Sequence, residues 1–388
     1  MTGIVLSASV RQNLLSLQST ADLLSTTQNR LATGNKVNSA LDNPTNYFTA
    51  QSLNNRASDI GNLLDSIGNG VQVLQAANTG LTSLQSLVDT AKSIANQVLQ
   101  APAGYTAKST VTSTAAIAGT AANLVDGTDL KSGQTIIVAA SGSLAAVTVT
   151  LGATESLAQL NTALAPGGLT ASLDSTNHLV FTNTNNDAAS STIGAVTVGS
   201  TPGTTTFAAA VAPTADPASQ AIRASLVGQY NNIITQITTT AQDASFNGVN
   251  LLNGDNLKLT FNETGKSTLS IQGVTFNAAG LGLASLTSGT DFLDNSSANA
   301  QLTLLGQAST QLRTEASALG SNLSVVQIRQ DFSKNLINVL QTGASNLTIA
   351  DPNEEAANSQ ALATRQSIAV SALALANQSQ QSVLQLLR

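Results

Sequence analysis

The chain has 388 residues and a formal net charge of −6, with only 9% charged and 3% aromatic residues, no Cys, no Trp, one His and one Met. The missing cysteines exclude thiol catalysis, disulfide scaffolds and Cys zinc sites, and a His-based triad or metal cluster would hang on His178 alone. Without a basic patch a nucleic-acid role is disfavoured, and so few aromatics disfavour a compact enzyme body.

The first residues, Met1-Thr2-Gly3-Ile4-Val5-Leu6-Ser7, have neither a basic segment nor a long apolar run. The expectation is a chain that stays in the cytoplasm or leaves the cell without a cleaved signal. From there Ile4, Ala8, Arg11, Leu14, Gln18, Ala21, Leu24, Gln28 and Leu31 follow one another at steps of three or four. That 3.5-residue period predicts a helix lying along another helix.

Seven prolines, Pro44, Pro102, Pro166, Pro202, Pro213, Pro217 and Pro352, leave two long Pro-free spans, 45–101 and 218–351. An interior Pro costs a helix about 3 kcal/mol, so both spans can hold long helices. In the first, a seam runs from Leu53, Ala57 and Ile60 through Leu74, Asn78 and Leu81 to Ala95 and Val98, with one slip. Gly61, Gly68, Gly70 and Gly80 interrupt it; each weakens a helix by about 1 kcal/mol and permits close approach of a neighbour.

Residues 103–217 differ in character. They are rich in Ala, Thr, Ser and Gly, and the runs 134–139, 146–151 and 178–182 read as strands. The expectation is a β-rich domain inserted into a helical body, with 202–217 as the returning linker. His178, beside Leu179-Val180-Phe181, is expected to be structural, and Asp126-Gly127-Thr128-Asp129 to be a turn rather than a calcium loop. The Ser and Thr clusters at 109–115 and 200–206 read as polar loops that could accept glycans.

A helix is expected over 218–243, with Ile222, Leu226, Tyr230, Ile233 and Ile237 on one face. Phe246-Asn247-Gly248 is a turn signal. Leu257–Phe261 and Thr268–Phe276 then alternate around Glu263-Thr264-Gly265-Lys266 as a hairpin. From Leu302 to Leu347 a fourteen-position seam (Leu302, Leu305, Ser309, Leu312 and onward) alternates three and four without a slip. Asp351, Glu354 and Glu355 flank Pro352 and suit a helix N-terminus better than a catalytic pair.

The C-terminal seam is Leu362, Gln366, Ala369, Leu373, Ala376, Gln380, Val383 and Leu387. Within 366–387, ten of 22 residues are Gln, Asn or Ser, which argues against a membrane span. Ile368, Val370, Leu375, Leu384 and Leu386 lie off the seam, so one partner helix leaves them in water. Both ends are expected to order only among other copies of the chain. Contacts of that kind that do not close generate helical filaments. Leu14, Leu24, Leu31, Leu373, Val383 and Leu387 are the candidate assembly residues. The fold class is mainly α with β insertions: an elongated helical-bundle, coiled-coil body and an inserted β-rich outer domain.

Three segments carry a family resemblance. Arg30-Leu31-Ala32-Thr33-Gly34-Asn35-Lys36-Val37-Asn38-Ser39-Ala40 resembles the "RLSSGLRINSA" segment of bacterial flagellins. Ser245-Phe246-Asn247-Gly248-Val249-Asn250-Leu251-Leu252 resembles their "FNGxxLL" signature. Ala374-Leu375-Ala376-Asn377-Gln378 with Val383-Leu384-Gln385-Leu386-Leu387-Arg388 resembles their terminal "AQAN…VLSLL" signature. The resemblance covers both ends and the helical body.

It implies a non-enzymatic, cofactor-free structural subunit of the extracellular filament. Residues 1–33 and 347–388 would form an inner tube and 34–46 a spoke. Residues 38–101 and 218–346, with the hairpin at about 246–276, would form an outer tube, and 103–217 an outer domain. The implied partners are further copies of the chain, an export chaperone and type III export apparatus, the filament cap and the hook-junction proteins. The hairpin would take part in protofilament switching. Segment 133–200 resembles the "flagellin hook IN" module. Ser86 and Thr90 follow Leu84-Gln85 where receptor-recognised flagellins carry Arg and Leu, so the resemblance does not extend to recognition by the animal Toll-type receptor. A hook–filament junction protein and a secreted adhesin or glycan-binding protein using 103–217 are the competing readings.

Overall fold

The computed structural model describes residues 8–199 and 205–386. Six α-helices carry the fold: α1 (Ala8–Thr33), α2 (Pro44–Gln100), α3 (Leu157–Leu164), α4 (Pro217–Asp243), α5 (Asn295–Thr348) and α6 (Pro352–Leu386). Three of them, α2, α4 and α6, begin on proline. Its fixed φ suits the first turn, and its missing N–H would have no partner there. Asp216 and Asp351 precede two of these prolines, and each side chain accepts the backbone N–H two residues on.

Among the described residues one compact unit takes 8–70, 258–269 and 325–386, and a second takes 71–257 and 270–324. In the first unit α1 and α6 pack on each other. The start of α2 packs on the end of α5 through Ala57, Ile60 and Leu340, with Leu53, Leu336 and Ile337 around them. Strand β9 (Leu257–Thr260) pairs with β10 (Thr268–Ile271). The connection between them is held by Arg56 Nε to Glu263 Oε1 at 2.7 Å and by Arg329, whose guanidinium lies 5.2 Å from the Phe261 ring centroid.

The second unit buries the later part of α2 (Leu74, Leu81, Leu84, Val88, Ala91, Ala95 and Val98), with Leu226, Tyr230, Ile234 and Ile237 of α4 and Leu305, Leu312 and Leu319 of α5. Tyr230 and Phe292 meet edge to face, 5.9 Å between centroids. Burial pushes the Tyr230 hydroxyl up to about 12.

All fourteen seam positions expected on α5 are buried or half-buried, and so are those of the α2 seam except Asn78, whose place Ala77 takes at the slip. The α4 face differs from expectation. Ile222 is 50% exposed and Ile233 half-buried, while Ser219, Arg223 and Ile234 are buried. Hydropathy cannot anticipate this, because Arg223 is buried by donating to backbone carbonyls far away in sequence.

The inserted module holds eight strands: β1 (Tyr105–Ala107), β2 (Thr110–Thr112), β3 (Thr135–Val138), β4 (Val147–Thr150), β5 (Leu169–Leu173), β6 (Leu179–Asn183), β7 (Val196–Gly199) and β8 (Thr214–Ala215). They form two three-stranded antiparallel sheets, β2-β6-β5 and β4-β3-β7, and a ribbon of β1 with β8. Strand residues alternate inward and outward, so Ile136, Val138, Val147, Val149, Leu179 and Phe181 share one core with Leu160 and Leu164 of α3. The expected returning linker is partly structured: Phe207 and Val211 bridge to Ser113 and Thr110, and Phe207 packs 5.4 Å from Phe181. Residues 200–204, which hold part of one Ser/Thr cluster, lie outside the described residues.

The glycines of α2 divide into two kinds. A Cβ at Gly80 would stand 2.6 Å from the Ala244 Cβ and 2.7 Å from Leu252 Cδ1, and one at Gly70 would collide with Leu259. At Gly61 nothing lies within 4 Å. Gly80→Ala is therefore expected to destabilise the protein by about 1–3 kcal/mol through overpacking. Gly61→Ala is expected to stabilise it by about 1 kcal/mol through helix propensity. Thermal melts of the two variants should move in opposite directions; a shared direction would refute the packing account.

Candidate assembly surface

Helices α1 and α6 carry the candidate surface. In α1 the only charged residues are Arg11, Asp22 and Arg30; in α6 no charge follows Arg365. Helices this poor in charge lack the charged face that a solitary surface helix turns to water. The covered side of α1 is Val10, Leu17, Thr20, Leu24 and Thr27, with Thr20 Oγ1 donating to Ser16 O. The covered side of α6 is Glu355, Ser359, Leu362, Gln366, Ala369, Leu373 and Ala376.

The pair leaves a large apolar surface in water. Leu15 is 68% exposed, Leu23 51%, Ile368 64% and Leu375 71%, and Leu14, Leu31 and Val370 are exposed as well. Leu24 and Leu373 are thus half-buried in the pair, whereas Leu14 and Leu31 face outward instead of lying on the covered side. The side chains of Val383, Leu384 and Leu386, and all of Leu387, lie outside the described residues. Asn377 is exposed on α6. No described helix is long and apolar enough to cross a membrane.

The motif around Arg30 builds a clasp at the base of the pair. Gly34 takes φ +73, a left-handed value that suits glycine. Its N–H returns to Arg30 O at 2.8 Å, closing α1. Lys36 N donates to Thr348 O and Ala350 N to Gly34 O, at 2.7 and 2.9 Å. These bonds pin the end of α1 to the α5–α6 junction. Arg30 Nη1 lies 3.5 Å from Glu355 Oε1, and Glu355 is only 8% exposed.

Beyond the clasp, Asn38 Nδ2 donates to Asn35 O. The Asp42 carboxylate accepts from Asn38 N, Ser39 N and Ser39 Oγ. The Asn38 and Ser39 N–H groups hold its carboxyl below the usual aspartate value. Asp42 is a site residue that sequence reasoning missed, although a carboxylate three residues after Ser39 is the available signal.

The second motif is a tight turn. Asn247 and Gly248 have φ 49 and 80, and Phe246 and Val249 exchange N–H···O bonds at 3.0 Å. Two left-handed residues in succession favour Asn-Gly. Phe246 itself is 37% exposed. The following Asn250, also missed, is buried and donates from Nδ2 to Ala241 O and Gln242 O, satisfying carbonyls at the end of α4.

The other sequence candidates are structural. His178 Nδ1 sits 2.8 Å from Thr176 Oγ1 and 3.4 Å from Asp174 Oδ2 at the β5–β6 turn. The Asp174 carboxyl accepts the His178 and Thr176 N–H groups and is pulled down to about 2. Asp126 Oδ1 accepts from Thr128 N and Asp129 N, closing a turn. Among the described residues no three His, Cys, Asp or Glu side chains group as a metal site.

Comparison with known proteins gives the same picture at both ends. A family model described as "Bacterial flagellin N-terminal helical region" matches residues 6–129, and one described as "Bacterial flagellin C-terminal helical region" matches 302–387. The chain is similar to Flagellin FljM of Caulobacter vibrioides, 34% identical over 168 residues, which is 42% of this chain and 59% of the relative. Flagellin FljK of the same organism matches with the same identity and shares. Flagellin A of Rhizobium meliloti is 38% identical over 82 residues, 21% of each chain. The chain thus spans less than two thirds of the length of the first Caulobacter relatives.

Proposed function

Because the chain belongs to the bacterial flagellin family, we propose that it is the structural protomer of an extracellular flagellar filament used for motility, and that its role is mechanical rather than catalytic. The observation that carries this reading is the exposed, charge-poor apolar surface of α1 and α6, with Ile368 and Leu375 well over half exposed. Apolar surface on that scale is the mark of an interaction face. Covering it needs other copies, and a heterologous, non-closing contact between identical chains builds a filament.

In this reading 1–33 and 347–388 line an inner tube and segment 34–46 is the spoke. Residues 38–101 and 218–346 form an outer tube, with the hairpin within 246–276 engaged in switching between packings, and 103–217 faces outward. The ends complete their order as they meet neighbours at the growing tip. Export without a cleaved signal, a chaperone that covers α6, and contacts with cap and hook-junction proteins belong to the same proposal.

The test is seeded assembly. Purified protein added to short filament fragments is expected to extend them into long filaments in negative-stain images. Protein that stays monomeric at every concentration, with seeds present, sinks the reading.

A further inference from the structure

A cavity of 440 Å³ opens in the second unit between α5 and the segment that follows β10. Val274 and Phe276 supply its apolar wall, and Thr310, Gln311, Thr314 and Glu315 its polar one. The hydroxyl protons of both threonines are already committed to the helix: Thr310 Oγ1 donates to Gly306 O at 3.0 Å and Thr314 Oγ1 to Thr310 O at 2.9 Å. Their remaining lone pairs are acceptors. Glu315 makes no ion pair among the described residues, and burial raises its carboxyl above the ordinary glutamate value. The cavity therefore presents a lone carboxylate, hydroxyl lone pairs, the Gln311 carboxamide and an apolar wall.

A group with several donors, one positive charge and an aliphatic stem complements it, as lysine and arginine side chains do, and a compact ammonium with three rotatable donors suits acceptors spaced along α5 better than a planar guanidinium. We propose that the Glu315 cavity receives a lysine ammonium from a second copy of this chain. The inference rests on the filament reading, which supplies the second copy. Three lysines are free for the role. Lys36, Lys258 and Lys266 are exposed and make no ion pair among the described residues. Lys92 and Lys334 pair with Asp89 and Asp331, Lys108 is held by Thr184 O and Asn186 Oδ1, and Lys131 is engaged as well.

The experiment co-assembles unlabelled and 15N-labelled wild-type protein on seeds and treats filaments and monomers with a water-soluble carbodiimide. That reagent joins a carboxylate to an amine only when they touch. Mass spectrometry of filament peptides is expected to show Glu315 linked to Lys36, Lys258 or Lys266 with mixed isotopes, and the monomer no such link. Glu315→Gln is expected to raise the critical concentration for assembly about fivefold, while the melting temperature of its monomer stays level or rises. Asp187→Asn, the same charge change in the inserted module, is expected to leave assembly unchanged.

Links within one isotope only, no Glu315 link, or Glu315→Gln assembling like wild type overturns the proposal. If wild-type protein forms no filaments, the filament reading itself fails and takes this inference with it. If wild-type filaments form and Glu315 stays unlinked, only this inference falls.

Discussion

Removing Gln366–Arg388 is expected to leave a folded, soluble protein that no longer extends filament seeds, with a critical concentration more than about 100-fold higher. The deleted segment contains no charged residue before Arg388 and carries Ile368, Val370 and Leu375, all more than half exposed. Much of its apolar surface is already in water, and its covered residues Gln366, Ala369, Leu373 and Ala376 pack in the α1–α6 pair, so deletion frays α1 while leaving the two cores in place. The core around Ala57, Ile60 and Leu340 and that of the inserted module share no residue with the segment. Assembly loses the surface that neighbours would cover. Sedimentation and negative-stain imaging read both halves of the expectation. Normal filaments from the truncated protein would remove the assembly role from α6, and a truncated protein that fails to fold would show that α6 supports the monomer instead.

Arg223→Met is expected to destabilise the second unit by about 3 kcal/mol. Arg223 is 2% exposed. Its Nε donates to Pro102 O at 2.9 Å, Nη1 to Phe292 O at 2.9 Å, and Nη2 to Ala101 O and Asn295 Oδ1 at 3.3 and 3.1 Å. A methionine fills the volume but leaves these acceptors without donors, which isolates the hydrogen-bonding contribution from packing. At about 2–4 °C per kcal/mol for a unit of this size, the melting temperature should fall by about 8 °C. Arg223→Lys is expected to recover little of that, because an ammonium cannot span four acceptors on two segments as a planar fork does. Hydrogen exchange should accelerate at the last turn of α2 and the first turns of α4 and α5. A melt within about 2 °C of wild type would show that the three segments hold together without the guanidinium.

Much of the helical body was legible in the sequence because its physics is local and periodic. The fourteen-position seam of α5 could be read from the spacing of Leu305, Leu312, Leu319 and Val326. The prolines mark three helix starts for a reason that belongs to the residue itself. The strands around Ile136, Val149 and Phe181 show the two-residue alternation of half-buried sheet. What escaped was set by distant partners. Nothing local in the sequence signals that Arg223 is buried, because the carbonyls it satisfies lie on other segments. Segment 205–211 looked like linker because its pairing with Thr110 and Ser113 spans about a hundred residues of chain.

The candidate surface was legible in kind and not in register. Helix α1 has leucines on every side, at 14, 15, 17, 23, 24 and 31. Apolar spacing alone then selects no unique covered face. The structure turns Leu14 and Leu31 outward and covers Thr20 and Thr27. In a chain with so few charges, hydropathy contrast, the usual guide to which side of a helix is inside, is nearly flat.

The ribbon of β1 with β8 brings Tyr105 opposite Ala215. The module's first and last strands therefore leave the helical body side by side, like the two wires of a plug. A foreign domain whose own termini lie about 5 Å apart, the spacing of neighbouring strands, could be spliced in at that socket without changing the span between Gln100 and Pro217. Under the filament reading proposed above, that socket would carry a chosen antigen or enzyme on each subunit, with the donor's end-to-end separation as the design rule.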